Sequence, residues 1–226
     1  MNAHTSPLAE VAKLESARYA LIRRLGFVFR HHLVVNLQPL NMVCQVLHHR
    51  LGAAAPDVPA LHDGVDQISR LVRTSIDSCS DVVSWITADP LSTIAVEAGV
   101  AECLANVRSS FSFRGFSVQC EESNLGSQVT RVAIREVLTS ALLATTDHAK
   151  GLDDIRVSVK SAAPAVEITI QLRRGSNTSN AEHDAYRLIE WDEVQTLAAF
   201  HGAQISRSGD ALVTIRLQQS LEAPAQ

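Results

Sequence analysis

The sequence has few aromatic residues and little net charge. The first shortage limits the composition of the core, and the second limits the classes of partner. Aromatic residues make up 4% of the 226 residues, whereas hydrophobic residues make up 46%. The core must therefore consist mostly of Leu, Val, Ile and Ala. A formal net charge of −4 gives no strong attraction to nucleic acids or to membrane surfaces, and we expect neither as a partner.

The sequence also has no paired cysteines and no long apolar runs. Its four cysteines show no CxxC spacing, which favours free thiols in a reducing cytoplasm over a disulfide framework. We expect Cys44 and Cys79, in helical segments, to be small buried hydrophobes. The sequence contains no stretch of about 18 apolar residues, so no membrane span is predicted. The first residues lack the apolar core of a signal peptide.

What the sequence does contain begins with a long helical pattern over residues 8–51. Its apolar residues recur at steps of three and four, so they form stripes along a helix. The first stripe consists of Ile22, Phe29, Leu33, Leu37, Leu40, Cys44, Leu47 and Leu51, and the second of Leu21, Leu25, Val28, Val35, Val43 and Val46. Two stripes on one helix predict two packing partners, as in a helical bundle.

A second helix is predicted over residues 60–87, after a segment rich in Gly and Pro. Its apolar residues follow a heptad-like order, and Pro90 disfavours helix at the residue before it. One antiparallel hairpin of this length has too small a core by itself. We therefore expect a homodimer in which residues 10–88 of two copies form a four-helix bundle.

After Pro90 the pattern predicts a second domain that mixes helices and strands. Helices are predicted over 94–109, 128–147 and 184–200, and strands over 116–122, 155–161, 165–173, 203–208 and 211–218, with Gly209 and Asp210 in the last turn. This order favours an α+β fold in which helices pack on one face of a sheet. The predicted domains are thus a dimerising hairpin over 1–89 and an α/β sandwich over 90–226.

The stretch FRHHLVVNLQPL, residues 29–40, places two adjacent histidines on the first helix. At 100° per residue His31 lies about 200° from Leu33, facing away from the first stripe, whereas His32 lies nearer the packed seam. His31 is therefore the better candidate for an exposed nucleophile, since a neutral imidazole can attack a phosphoryl group. Arg24 and Arg30 could hold phosphate charge, and Gln38 is a further candidate contact.

Two other interpretations of these histidines remain open. A histidine on a bundle helix is often structural, and Pro39 by itself can kink the helix. His48 and His49 lie too far along the helix to share a metal with His31 in one chain, although a metal site formed across a dimer is conceivable. We assign no metal site and no cofactor site to the protein itself.

The order of these segments resembles the core of sensor histidine kinases, in which a dimerising hairpin precedes a small ATPase-like domain. FRHHLVVNLQPL is similar to that family's phosphoacceptor box, with His31 at the phosphoacceptor position and His32 as the second candidate. REVLTSALLATTDHAKG is similar to the helix that carries the magnesium-binding asparagine. VEITIQLRRG is similar to the strand that ends in the adenine-binding Asp-x-Gly. WDEVQTLAAFHGAQISRSGDALVTIRL is similar to the closing helix and hairpin of the domain.

The sequence departs from the family at the positions that bind nucleotide. Ala144 stands at the asparagine position, with Ser140 at a preceding polar position. Arg173 replaces the adenine-reading aspartate, and Asn177 replaces the second glycine of that box. The segment where the glycine-rich lid is expected contains no glycine. Because nucleotide binding needs a metal ligand, exposed backbone N–H groups and an acceptor for the adenine amine, we expect no ATP binding.

The resemblance therefore implies a bacterial histidine phosphotransfer protein of two-component signalling. His31 would exchange phosphoryl groups with the aspartate of a response-regulator receiver domain, and any Mg²⁺ would enter only through that receiver. The alternative is a pseudokinase adaptor that binds a signalling partner without phosphate chemistry. A histidine in place of the acidic residue that usually follows the phosphoacceptor argues against autokinase activity.

Overall fold

The computed structural model describes residues 6–87, 89–121, 125–149, 151–175 and 187–220. Its helices are α1 (Pro7–Leu51), α2 (Val58–Ile86), α3 (Val96–Phe113), α4 (Arg131–Asp147) and α5 (Trp191–Phe200). Its strands are β1 (Thr93–Ala95), β2 (Ser117–Cys120), β3 (Gln128–Thr130), β4 (Asp154–Ala162), β5 (Ala165–Arg173), β6 (Gln204–Ser208) and β7 (Leu212–Gln218). The predicted α+β fold class, with a helical hairpin before an α/β domain, is confirmed.

The first two helices form an antiparallel hairpin. Asp57 caps α2, since its carboxylate accepts a hydrogen bond of 3.2 Å from the backbone N–H of Ala60, as helix N-termini require. The Ser75 hydroxyl of α2 lies 3.2 Å from the backbone carbonyl oxygen of Asn36 in α1. The rings of Phe29 and Trp85, near the open end of the hairpin, have centroids 6.1 Å apart.

The α/β domain is built on a five-stranded sheet with the order β2-β4-β5-β7-β6. The β2–β4 pair is parallel and the other three pairs are antiparallel. Alternate residues of β4 and β5 are buried, because successive side chains of a strand point to opposite faces. The buried face carries mainly aliphatic side chains, and a separate ribbon pairs β1 with β3.

The compact units divide the chain differently from the predicted domains. Residues 26–87 form one unit, and the other contains residues 88–226 together with residues 1–25. One division of the chain thus lies between residues 87 and 88, whereas the predicted domains meet between residues 89 and 90. The first half of α1, however, belongs to the α/β unit and not to the hairpin unit. None of the helices in the described part of the chain is long and apolar enough to cross a membrane.

Several local predictions differ from the structure. The helix predicted over 128–147 begins at Arg131, because residues 128–130 pair as a strand with Thr93–Ala95. The helix predicted over 184–200 begins at Trp191, and residues 184–186 lie outside the described residues. Within the single chain Cys44 and Cys79 are exposed, so the hairpin alone does not bury them as predicted. They lie on helix faces that the partner helix of the hairpin does not cover.

Candidate functional site

His31 and His32 differ in exposure on α1. The His31 side chain is exposed and that of His32 is half-buried, with ring centroids 6.4 Å apart. Phe29 and Leu47 are buried and lie on the α2-facing side of α1. His31 projects about 160° away from this side, by the rotation of an ideal helix. The facing predicted for the two histidines from the helical period agrees with these exposures.

The three predicted phosphate or partner contacts are placed differently. Arg30 and Gln38 are exposed, and Gln38 lies two turns after His31 on the same face of α1. The Arg24 side chain is only 4% exposed, and its guanidinium lies 2.8 Å from the Asp147 carboxylate. Arg24 also donates to the backbone carbonyl of Arg187 at 3.0 Å. It is therefore committed to the α/β unit, which corrects the expectation that it holds phosphate.

Large apolar side chains surround His31 on the exposed face of the helix. Phe27 is 72% exposed, Val34 51% and Val35 49%, and they stand four residues before, three after and four after His31. Residues at these spacings are neighbours on a helix surface. Residues 16–51 contain five arginines and no Asp or Glu. On α1 the surface around His31 is thus rich in apolar side chains and carries no carboxylate.

Helix α4, where the resemblance implies a metal-binding asparagine, offers no open polar face there. Ser140 is fully buried and its hydroxyl donates to the backbone carbonyl of Val137 at 3.1 Å. Ala144 is 1% exposed and carries no metal-ligating atom. Neither residue can supply the oxygen ligand that Mg²⁺ prefers.

The end of β5 is occupied by contacts within the protein. The Arg173 guanidinium bonds the side-chain oxygen of Gln171 at 2.7 and 3.1 Å. The carboxylate of Asp153 accepts a hydrogen bond from the backbone N–H of Gly175, and a Cβ at Gly175 would lie 2.6 Å from the same Asp153 oxygen. The buried Asp153 is therefore satisfied by the backbone. Asn177 and most of the segment aligned with the lid lie outside the described residues.

The N-terminus of α5 is capped by its own acidic side chains. Glu190 and Glu193 form a reciprocal capping box, and Asp192 adds a third carboxylate to the first turn. Glu193 also binds the Arg187 guanidinium at 3.1 Å. A helix N-terminus attracts anions through its free N–H groups, but here carboxylates already fill that role. The spacing of two glutamates at 190 and 193 was the sequence signal for this cap, and it was missed.

A buried ionic cluster joins α1, α3 and α4, and sequence reasoning missed it. The side chain of Asp147 is fully buried and receives Arg24 at 2.8 Å and Arg114 at 3.1 Å. The other carboxylate oxygen of Asp147 accepts from the backbone N–H of Ile189 at 3.2 Å. Burial lowers the pKa of Arg114, and the charge of Asp147 opposes that shift. The partners are 33 and 123 residues from Asp147, so no local pattern connects them.

Comparison with known proteins finds resemblances among solved structures. No protein-family model matches the chain, and no curated protein sequence matches it. The Acinetobacter baumannii histidine kinase AdeS aligns over 81% of this chain and 98% of its own, with 16% identity and a TM-score of 0.44. The ATP-binding domain of PrrB from Mycobacterium tuberculosis aligns over 59% of this chain and 100% of its own, with 18% identity and a TM-score of 0.43. The catalytic domain of histidine kinase ThkA aligns over 57% and 95%, with 10% identity and a TM-score of 0.42.

Proposed function

We propose that the protein is a histidine phosphotransfer protein of two-component signalling that uses His31 and does not bind ATP. The observation that carries the proposal is the exposed imidazole of His31 on the outward face of α1. The buried Ser140 and Ala144 of α4 support the proposed lack of ATP binding, because they offer neither space nor ligands for a magnesium–nucleotide complex.

The reaction needs only an imidazole and a receiver. A lone pair on an unprotonated ring nitrogen of His31 attacks the phosphorus of a receiver acyl phosphate. The bond between phosphorus and the aspartate oxygen breaks, and the aspartate keeps the electron pair as a carboxylate. The other ring nitrogen then releases its proton to solvent, which leaves a neutral imidazole ring that carries the anionic phosphoryl group. The receiver supplies Mg²⁺ and its acidic residues, so the exposed Arg30 has only to attract the phosphoryl group.

The surface around His31 suits a partner that is apolar at its centre and acidic at its rim. Phe27, Val34 and Val35 provide exposed apolar contact area next to the imidazole. Residues 16–51 carry no acidic side chain, so an acidic receiver pocket would meet no like charge on this part of α1. This complementarity supports docking of a receiver on the hairpin.

Phosphotransfer from a purified receiver tests the proposal directly. A receiver carrying labelled phosphate should label the wild-type protein and His32→Gln, whereas His31→Gln should stay unlabelled. Labelled ATP with Mg²⁺ should leave all three unlabelled. Labelling of His31→Gln but not of His32→Gln would show that the wrong histidine was chosen, and labelling by ATP would show that the protein is a kinase.

The proposal includes a homodimer formed through the hairpin unit. On the side of α2 that α1 leaves open, apolar residues recur at heptad spacing and remain exposed; they are Val58, Val65, Val72, Ile76, Cys79, Val83 and Ile86. A second copy of the same hairpin would cover this stripe by the packing of a four-helix bundle. The stripe continues onto α1 through Leu37.

Replacement of a stripe residue should weaken this dimer. Ile76 is 58% exposed, and Ile76→Lys would place a charge in the shared core. Thr74→Lys is the matched control, since Thr74 is exposed on another face of α2. Sedimentation equilibrium should give at least a tenfold larger dissociation constant for Ile76→Lys only. A monomeric wild-type protein at micromolar concentration would contradict this part of the proposal.

The second candidate is an adaptor without phosphate chemistry. The half-buried His32 follows His31, so no carboxylate stands beside the imidazole. The exposed apolar residues next to His31 would serve partner binding equally well. In that case a receiver would bind the wild-type protein and His31→Gln with equal affinity, and neither would be labelled.

A further inference from the structure

The first half of α1 carries a continuous buried face within the α/β unit. Ala17, Ala20, Leu21 and Leu25 are all 2% exposed or less. Together with Arg24 they occupy one side of the helix at steps of three and four residues. Tyr19, on the other side, is 57% exposed. This segment therefore packs as an integral part of the unit and does not run free over its surface.

Two ionic anchors show where this segment lies. Arg18 binds Glu136, in the first half of α4, at 3.0 Å, and its guanidinium stands 4.5 Å from the centre of the Phe200 ring of α5. Arg24 binds Asp147, the last residue of α4, at 2.8 Å and reaches the Arg187 carbonyl just before α5. Residues 18–24 thus run along α4 and beside both ends of α5.

The face of α4 between these anchors is the one that bears Ser140. Glu136, Ser140, Leu143 and Asp147 share one side of α4, because they are spaced by four, three and four residues. Ser140 is fully buried and Leu143 is 3% exposed. Both ends of this side are bonded to α1, so the helical segment between Arg18 and Arg24 runs from one end of it to the other.

We propose that residues 17–25 of α1 act as a helical stopper that closes the groove along α4. A helix in this groove and a nucleotide on the same face of α4 would exclude each other. The inference rests on the proposed function in one respect, namely that this face is where a kinase of the same architecture would hold its nucleotide. The stopper adds a steric reason for the lack of ATP binding to the missing ligands, and it attaches α1 to the α/β unit.

Thiol labelling can test whether the stopper covers Ser140. In a parent protein with Cys44, Cys79 and Cys120 changed to Ser, the substitution Ser140→Cys supplies a near-isosteric thiol under α1, called the reporter thiol below. The native Cys103 is fully buried in the same unit and reports unfolding. A maleimide reagent and mass spectrometry then count adducts. The closed protein should gain none, a protein with an open groove one, and an unfolded protein two.

Two variants should open the groove, and one matched control should not. Leu21→Glu places a charge in the buried face, and Arg24→Gln removes one anchor; each should accelerate labelling of the reporter thiol at least tenfold and leave Cys103 unlabelled. Tyr19→Glu introduces the same charge on the exposed side of the same helix and should label like the parent. If Leu21→Glu gains two adducts because it unfolds, the labelling rate of the reporter thiol in Arg24→Gln tests the proposal instead.

The proposal would be overturned by rapid labelling of the reporter thiol in the parent, or by no acceleration in Arg24→Gln. The result is separate from that of the phosphotransfer assay on His31. A protein that shields the reporter thiol but is unlabelled by a phosphorylated receiver would keep the stopper and refute the phosphotransfer function. Labelling by the receiver together with an accessible reporter thiol would keep the phosphotransfer function and refute the stopper.

Discussion

Gly64 lies where α2 packs against α1, and its replacement by alanine tests the geometry of the hairpin. A Cβ at this position would clash with one methyl carbon of Leu47 and would stand 2.9 Å from its Cγ and 3.1 Å from its other methyl carbon. Alanine gains about 1 kcal/mol over glycine inside a helix. Overpacking a buried contact costs about 1–3 kcal/mol. Because Leu47 is itself buried and cannot move freely, we expect Gly64→Ala to lower the free energy of unfolding by about 1 kcal/mol.

Gly26 provides the matched control in the same hairpin unit. It lies inside α1 and is exposed, and a Cβ added there would have nothing within 4 Å, so Gly26→Ala should raise the free energy of unfolding by about 1 kcal/mol. Leu47→Ala removes the obstacle, and in that background Gly64→Ala should become stabilising. Urea denaturation at one protein concentration, followed by circular dichroism, measures all of these variants. Equal stabilisation by Gly26→Ala and Gly64→Ala would refute the predicted contact between Gly64 and Leu47.

Three further predictions concern the reactivity of the cysteine thiols, the loss of stability at low pH through Glu102, and the substitution of Pro39. Burial raises the pKa of Cys103 to about 12, so an iodoacetamide assay of the native protein should modify the exposed Cys120 and spare Cys103 until denaturant is added. Burial raises the pKa of Glu102, but hydrogen bonds and charges from Arg131 and Arg135 outweigh it, and the net pKa lies below 4.5. The stabilisation from this site is therefore present at neutral pH and lost as pH falls below 4.5; Glu102→Gln should remove it, so the stability difference from wild type should shrink on acidification. Pro39 lies inside α1, and Pro39→Ala should raise the free energy of unfolding by about 2–3 kcal/mol; no rise in the urea midpoint would contradict this.

The fold could be predicted from the sequence wherever one periodicity dominated a segment. The step of three and four residues predicted α1 to within one residue of its start. Alternation over residues 165–173 predicted β5 with its observed bounds, since only one register buries its aliphatic side. The prediction failed at Gln128–Thr130, where a short segment with helical neighbours pairs with β1. Pairing with a strand 35 residues earlier leaves no mark on local periodicity.

The candidate site was predictable in one part and not in the other. The facing of His31 and His32 followed from helical rotation alone, because both lie on one uninterrupted helix. The roles of Arg24 and Asp147 did not, since an arginine near a histidine in sequence could point to solvent, to phosphate or into the α/β unit. Only the tertiary contact, a bond between residues 123 apart, decides among these. The sequence shows that Arg24 lies beside its neighbours on α1, but it carries no sign of the contact between Arg24 and α4.

The membership of the first half of α1 in the α/β unit has a practical consequence for dissecting the protein. A fragment that starts after Pro90 would keep every strand and the helices α3 to α5, yet it would lack Ala17, Ala20, Leu21 and Leu25. The apolar surface of the domain that these side chains cover would then be exposed to solvent, and Asp147 would lose one of its two arginine partners. Such a fragment should be prone to self-association. Supplying residues 6–25 as a separate peptide, or by fusion, should restore a well-behaved domain.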